Sequence, residues 1–142
     1  WDDDTKVGDL VLTATQAQHF SGRGFGRNGT QWASWVLAGP EHRVFYSGDG
    51  GYFGGFATIG ERHGPFDLTL VQIGAYDIGW PTIHMTPERG VQTHLDVRGE
   101  VLLPVHWCTF SLAFHPWAEP VERLLAAAAQ HASPGSRTVF RH

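Results

Sequence analysis

Short apolar runs, broken by glycine and proline, set the pattern of this chain. Val7 to Thr15 is apolar and β-branched and predicts a strand after an acidic turn. Trp32 to Leu37 and Arg43 to Ser47 are two more such runs. The intervening Ala38-Gly39-Pro40-Glu41-His42 has turn chemistry, so the pair predicts a hairpin. Tyr52 to Arg62 spaces Phe53, Phe56 and Ile59 at helical intervals, and Gly64-Pro65 stops that helix. Leu68 to Ile73 and Val101 to Val105 are continuous apolar runs of the kind that form buried strands. Thr86-Pro87-Glu88 reads as an N-cap with proline at the first helical position, opening a helix to about Leu95. Glu119 to Gln130 is an Ala/Leu helix, and residues 131–142 read as a polar tail. Strands come first, then strand and helix alternate, which predicts an α/β layer in a single domain over residues 1–142.

Composition narrows the classes. Hydrophobic residues make up 42% and aromatics 13%, too apolar for a disordered chain. The net charge of −4 argues against nucleic acid as a partner, because nothing offsets the phosphate backbone. No run of about 18 apolar residues is present, so no transmembrane segment is expected. The start, Trp1-Asp2-Asp3-Asp4, lacks the basic-then-apolar order of a signal peptide and lacks Met, which suggests a processed chain or a fragment. Cys108 is the single cysteine, so an internal disulfide and a cysteine-built zinc cage are excluded. A reducing, cytoplasmic setting is the expectation, with peripheral membrane contact left open. Nine histidines are the unusual feature.

Their positions matter. His19 follows the first predicted strand, Asp49 the third, and His106 the run at Val101 to Val105. His84 lies in the irregular stretch from Gly74 to Pro87. Loops at strand ends are where open sheets place ligand sites. Imidazole and carboxylate are the ligands zinc takes when cysteine is absent. Spacing alone leaves two readings open: a convergent metal site, or separate histidines each capping its own loop.

Several short motifs in fixed order carry more. Gln18-His19-Phe20-Ser21-Gly22-Arg23-Gly24 is followed by Arg27-Asn28-Gly29-Thr30-Gln31-Trp32 and by Ser47-Gly48-Asp49-Gly50-Gly51-Tyr52. Then come Gly64-Pro65-Phe66-Asp67-Leu68, Ile73-Gly74-Ala75-Tyr76, His84-Met85-Thr86-Pro87-Glu88, His94-Leu95-Asp96 and Pro104-Val105-His106-Trp107 with Thr109-Phe110. Over about Val7 to Leu125 this resembles the zinc hydrolases of the metallo-β-lactamase fold similar to N-acyl-phosphatidylethanolamine phospholipase D, whose bacterial relatives are called RomA-like.

The resemblance implies two zinc ions, with His19 on the first, His106 on the second and Asp49 bridging them. It places His84 beside the metals, at the leaving group or at the charge that develops in the transition state. Apart from the resemblance, Arg23, Tyr76 and Trp107 are the candidate substrate contacts, and Arg23 reads equally as a structural arginine bonding loop carbonyls. The implied reaction is hydrolysis of a phosphodiester, of a small molecule or a lipid, by metal-bound hydroxide; a lactone or an ester is the alternative substrate. Zinc is expected, although such nitrogen and oxygen ligands also suit Mn²⁺ or Fe²⁺.

One departure limits this. The leading His-x-His-x-Asp-His motif is absent, and no histidine here has another two residues later. The chain therefore reads as the C-terminal half of an αββα sandwich, holding part of the site. The competing reading is a non-catalytic half-fold that pairs with an N-terminal partner or with its own copy, since a half-sandwich exposes an apolar sheet face. Three further features have quieter readings. Gly22-Arg23-Gly24-Phe25-Gly26 is no phosphate loop, because neither a following helix nor Gly-Lys-Ser/Thr is present. Cys108 is expected as a small packed hydrophobe rather than a nucleophile. The tryptophans at 32, 35, 80, 107 and 117 are expected in the core and pocket wall.

Overall fold

The computed structural model describes residues 1–22, 26–131 and 139–140. A hairpin opens it: β1 (Asp3–Val7) turns at Gly8, φ 62°, into antiparallel β2 (Leu10–Thr15). The expected acidic turn is thus a strand, and the expected single strand from Val7 is the hairpin's second arm. Aspartates are poor strand formers; pairing with β2 overrides that preference.

β3 (Ser34–Ala38) and β4 (Arg43–Tyr46) form the second hairpin. After β4 the pairing changes sense. α1 (Gly55–His63) leads to β5 (Phe66–Gln72), α2 (Pro87–Asp96) to β6 (Gly99–Val105), and α3 (Glu119–His131) to β7 (Val139–Phe140). Each helical connection allows the next strand to lie parallel to the last, as a tight turn could not. One seven-stranded sheet results, with its strands in chain order. The expected tail therefore includes β7, whose two residues pair with Val101 and Leu102. Two residues are too few to show a strand's period in sequence.

Residues aligned across neighbouring strands share a sheet face. One such row is Thr13, Val36, Phe45, Thr69 and Leu102, all buried. It belongs to the face that takes the helices: Phe56 and Ile59 of α1, Val91 of α2, and Leu124, Ala127 and Ala128 of α3 join Val36, Phe45, Val71 and Leu102 in one core. α2 begins as the sequence predicts, with the Thr86 hydroxyl accepting the Arg89 N–H and Pro87 at the first position.

The opposite face carries two apolar rows. Trp35, Tyr46, Leu70 and Leu103 form one, and Leu37, Val44, Leu68 and Val101 the other. None of these eight side chains is fully buried, and Trp35 and Tyr46 remain 38% and 40% exposed. The expected core position of Trp35 is thereby corrected. Its place on the strand turns it to the face that no helix among the described residues covers.

Candidate metal centre

Strands β2, β4, β5 and β6 run the same way, because β3 is antiparallel to both β2 and β4 and the rest pair in parallel. Their carboxyl ends share one edge of the sheet. His19 follows β2, Asp49 follows β4, His84 lies between β5 and α2, and His106 follows β6.

Close backbone contacts bring these loops together. Gly51 donates its N–H to the Gln18 carbonyl at 2.7 Å, docking the Asp49 turn onto the segment before His19. A Cβ at Gly51 would collide with the Thr82 backbone, so only glycine lets the His84 loop approach. Likewise, a Cβ at Gly74 would strike the His106 carbonyl. Gln72, buried at the end of β5, donates through Nε2 to the carbonyls of Gly50 at 3.0 Å and Met85 at 3.4 Å. Its backbone N–H donates to the Ser47 hydroxyl oxygen at 3.0 Å. One amide thus ties the Asp49 turn to the His84 loop.

His19, Asp49 and His84 converge, with one ligand-capable atom from each lying within 4.8 Å of the others. The His19 Nε2 stands 3.3 Å from Asp49 Oδ2, and its Nδ1 is 3.2 Å from the Ile83 carbonyl. A carbonyl only accepts, so Nδ1 carries the proton. In neutral His19, Nε2 therefore offers a lone pair to a carboxylate oxygen. Two acceptors face each other, and only a proton or a cation between them makes the contact favourable. With a proton there, Asp49 holds the His19 pKa above its ordinary value, against the opposing effect of burial. The same bond pulls Asp49 down to about 2, with burial opposing and the charges of His19 and His106 assisting.

His84 repeats the arrangement. Its Nδ1 donates to the Ala75 carbonyl at 2.8 Å, leaving Nε2 as the free donor atom. Burial lowers its pKa, which favours the neutral ring. Histidines that bind metal characteristically anchor the other ring nitrogen on a carbonyl or carboxylate. The tetrahedral edge between two zinc ligands is about 3.4 Å for bonds of about 2.1 Å, close to the His19–Asp49 separation. The donor set fits a divalent ion.

The His84 ring lies 5.6 Å from that of His19 and 4.9 Å from that of His106. His106 is exposed, at φ 61°, and adjoins the trio. The arrangement thus differs in emphasis from the sequence reading, which put His84 beside the ligands rather than among the converging donors.

Asp49 does not cap a helix. α1 starts at Gly55 with Gly54 as its N-cap and no side-chain cap bond. Tyr76 is buried and donates its hydroxyl to Glu119 at 2.6 Å. Trp107 packs on the core and lines a cavity of about 370 Å³ with His106, Cys108, Phe110 and Trp117. A second cavity, about 740 Å³, opens beside His84 and is lined by Tyr52, Tyr76, Arg89 and Arg123. Arg23 lies outside the described residues. Cys108 is exposed, contrary to the packed position expected of it, because it sits at φ 52° on the loop that rims the first cavity. Trp117 is exposed on the same rim, not part of the core.

Sequence reasoning assigned no role to Gln72, His115 or Glu119. An amide inside the apolar run Leu68 to Ile73 was the available signal for Gln72. His115 and Glu119 act across 40 and 43 positions, on Ala75 and Tyr76, which no local pattern reports.

A sheet with helices on one face and imidazole and carboxylate donors at its carboxyl edge is the architecture of one α/β layer of a metallo-β-lactamase fold. The chain belongs to the beta-lactamase superfamily domain family, which it matches over residues 1–107. It is 56% identical over 131 residues to an uncharacterised protein of Mycobacterium tuberculosis (strain H37Rv), covering 90% of this chain and 35% of that one. It is 34% identical over 120 residues to N-acyl-phosphatidylethanolamine-hydrolyzing phospholipase D 1 of Caenorhabditis elegans, covering 81% of this chain and 34% of that one. The chain thus spans about a third of the length of these relatives. Among solved structures, the metallo-beta-lactamase fold protein YhfI from Bacillus subtilis superposes with a TM-score of 0.67 at 17% identity, over 98% of this chain and 49% of that one. No helix among the described residues is long and apolar enough to cross a membrane.

Proposed function

We propose that this chain is the C-terminal α/β half of a metal-dependent hydrolase, with zinc as the metal and a phosphodiester as the substrate. The observation that carries the reading is the His19–Asp49 contact. Two acceptor atoms meet at 3.3 Å, while the far nitrogens of His19 and His84 are anchored on backbone carbonyls. His19 would hold one ion and His106 the second, and Asp49 would serve both. Ions held there supply Lewis-acid chemistry, making water nucleophilic near neutral pH and offsetting negative charge at the bond being cut.

The chain's own residues then do the rest. Neutral His84, its Nδ1–H committed to Ala75, turns Nε2 toward the reacting group. Tyr76 and Trp107 form walls of the two cavities that flank the donors, where the substrate's two sides would rest. Arg23 is assigned to the substrate phosphate. The phosphodiester assignment rests on the Caenorhabditis elegans relative, which is named for hydrolysing a phospholipid. The N-terminal half of the same protein supplies the remaining ligands and covers the apolar sheet face.

The test is metal content of the full-length protein, with hydrolysis of bis(p-nitrophenyl) phosphate and of a simple lactone. Wild type should hold two zinc ions, His19→Ala and His106→Ala about one, and Asp49→Asn neither. His84→Gln should keep both ions and lose turnover. Undiminished zinc in Asp49→Asn would remove the bridging role. Cleavage of the lactone but not the diester would move the substrate class to lactones and esters. Zinc-free, inactive wild type would leave a non-catalytic half that pairs through its sheet.

A further inference from the structure

How His84 is held depends on Ala75, because the Ala75 carbonyl accepts the His84 Nδ1–H. Ala75 has φ 58°, a left-handed conformation that a residue with a Cβ keeps only when its surroundings enforce it. Two further bonds do so. The Ala75 carbonyl accepts Trp80 Nε1–H at 2.9 Å, and the Ala75 N–H donates to His115 Nε2 at 3.1 Å.

That last bond fixes the state of His115. A backbone N–H only donates, so His115 Nε2 holds a lone pair and its Nδ1 the proton. The proton goes to the Pro116 carbonyl at 3.0 Å. The ring is braced as well. It stacks on Tyr76, with centroids 4.4 Å apart and planes 14° from parallel. Tyr76 in turn donates to Glu119, and Arg123 lies 4.8 Å over the Tyr76 ring while bonding Glu119 at 3.1 Å and both oxygens of Glu88 at 2.8 Å. α3 thereby braces His115, which holds Ala75, which orients His84.

We propose that His115 is a positioning residue for this site. By accepting the Ala75 N–H it keeps the Ala75 carbonyl aimed at His84, which fixes His84 as its Nδ1–H tautomer with Nε2 facing His19 and Asp49. The inference rests on the reading that His84 serves the hydrolytic site, but its geometry can be tested without turnover. Nothing about the spacing of His115 and His84 in sequence marks them as partners; the link runs through one residue, Ala75, whose N–H and carbonyl serve one histidine each.

The measurement is the side-chain nitrogen NMR spectrum of the full-length protein, labelled at histidine and freed of metal, at pH 8. The His84 signals are assigned by their loss in His84→Gln. In wild type, His84 should show a protonated Nδ1 and an unprotonated Nε2. His115→Ala should lose that preference and move toward the tautomer mixture of free imidazole. His115→Gln, whose amide oxygen can accept the Ala75 N–H, should restore it. His115→Phe keeps a ring on Tyr76 without an acceptor, so it should behave as His115→Ala does and serves if that variant fails to fold. A fully retained Nδ1–H tautomer in a folded His115→Ala or His115→Phe would overturn the proposal. Zinc titration of the same samples separates the two readings. Wild type that binds no zinc defeats the hydrolase while leaving the tautomer result intact.

Discussion

His19 Nε2 and Asp49 Oδ2 face each other at 3.3 Å across two loops thirty residues apart in sequence, and the pair responds to pH from both sides. His19 is raised above 6.5, so its contribution is complete below pH 6.5 and fades as pH rises past its folded value. Asp49 is lowered from 3.8 to about 2, so its contribution is complete above pH 3.8 and fades as pH falls toward 2. Without metal, the pair therefore stabilises most between roughly pH 4 and 6.5. Melting curves in chelator at pH 3, 5.5 and 8 should show the largest gap between wild type and Asp49→Asn at pH 5.5. A gap that is flat across the three would mean that the proton does not sit between these groups.

A second pH effect comes from the core. His94 on α2 is fully buried against the Thr69 hydroxyl at 2.7 Å, and burial lowers its pKa from 6.5 to about 4. The unfolded chain takes up this proton first, so stability falls as pH drops from 6.5 to about 4 and the loss is then complete. One group shifted this far is worth up to about 3 kcal/mol. Denaturant titrations at pH 7 and pH 4.5 should show that slope in wild type and a clearly smaller one in His94→Gln. Equal slopes would assign the acid sensitivity to other groups.

These groups differ in how far the sequence revealed them. The helix at Pro87, the hairpin at Gly39-Pro40 and the strands at β5 and β6 were legible because caps, turns and apolar runs are local signals. Positions His19, Asp49, His84 and His106 at one sheet edge were legible from strand order together with motif resemblance. The His115–Ala75 bond was not, since it depends on where an irregular loop crosses another. β1 was hidden by its aspartates, and β7 by its length. Burial of a polar side chain within an apolar run, as at Gln72, is ambiguous in sequence because a face change looks the same.

Gln72 gives the third prediction. Its amide group serves two backbone carbonyls from two site loops, and nothing apolar of the same size can replace those bonds. Gln72→Leu leaves the buried Gly50 and Met85 carbonyls short of a donor, at about 1–3 kcal/mol each. The variant should lose about 2–5 kcal/mol in urea titrations and weaken zinc binding with it. Gln72→Glu keeps the volume but not the donor, and should weaken zinc similarly. Wild-type zinc affinity in both variants would show that the Asp49 and His84 loops are held in place without it.

The last prediction concerns the uncovered sheet face. Trp35, Tyr46, Leu70 and Leu103 lie side by side across four strands, with Leu37, Val44, Leu68 and Val101 in the next row. Apolar surface buries at roughly 25 cal/mol per Å², so two such rows provide a strong drive to find a cover. Expressed alone, the 142-residue chain should therefore self-associate. Leu70→Lys combined with Leu103→Glu places charge in the β5–β6 half of one row, in positions that neighbour each other on paired strands. Those side chains lie on the face away from the helices, so the core of Val36, Phe45, Val71 and Leu102 is left intact. Light scattering should give an associated wild type and a monomeric double variant with the same circular dichroism. A wild-type chain that stays monomeric and melts cooperatively would mean that the two rows need no partner, and the case for a covering half would lose its physical basis.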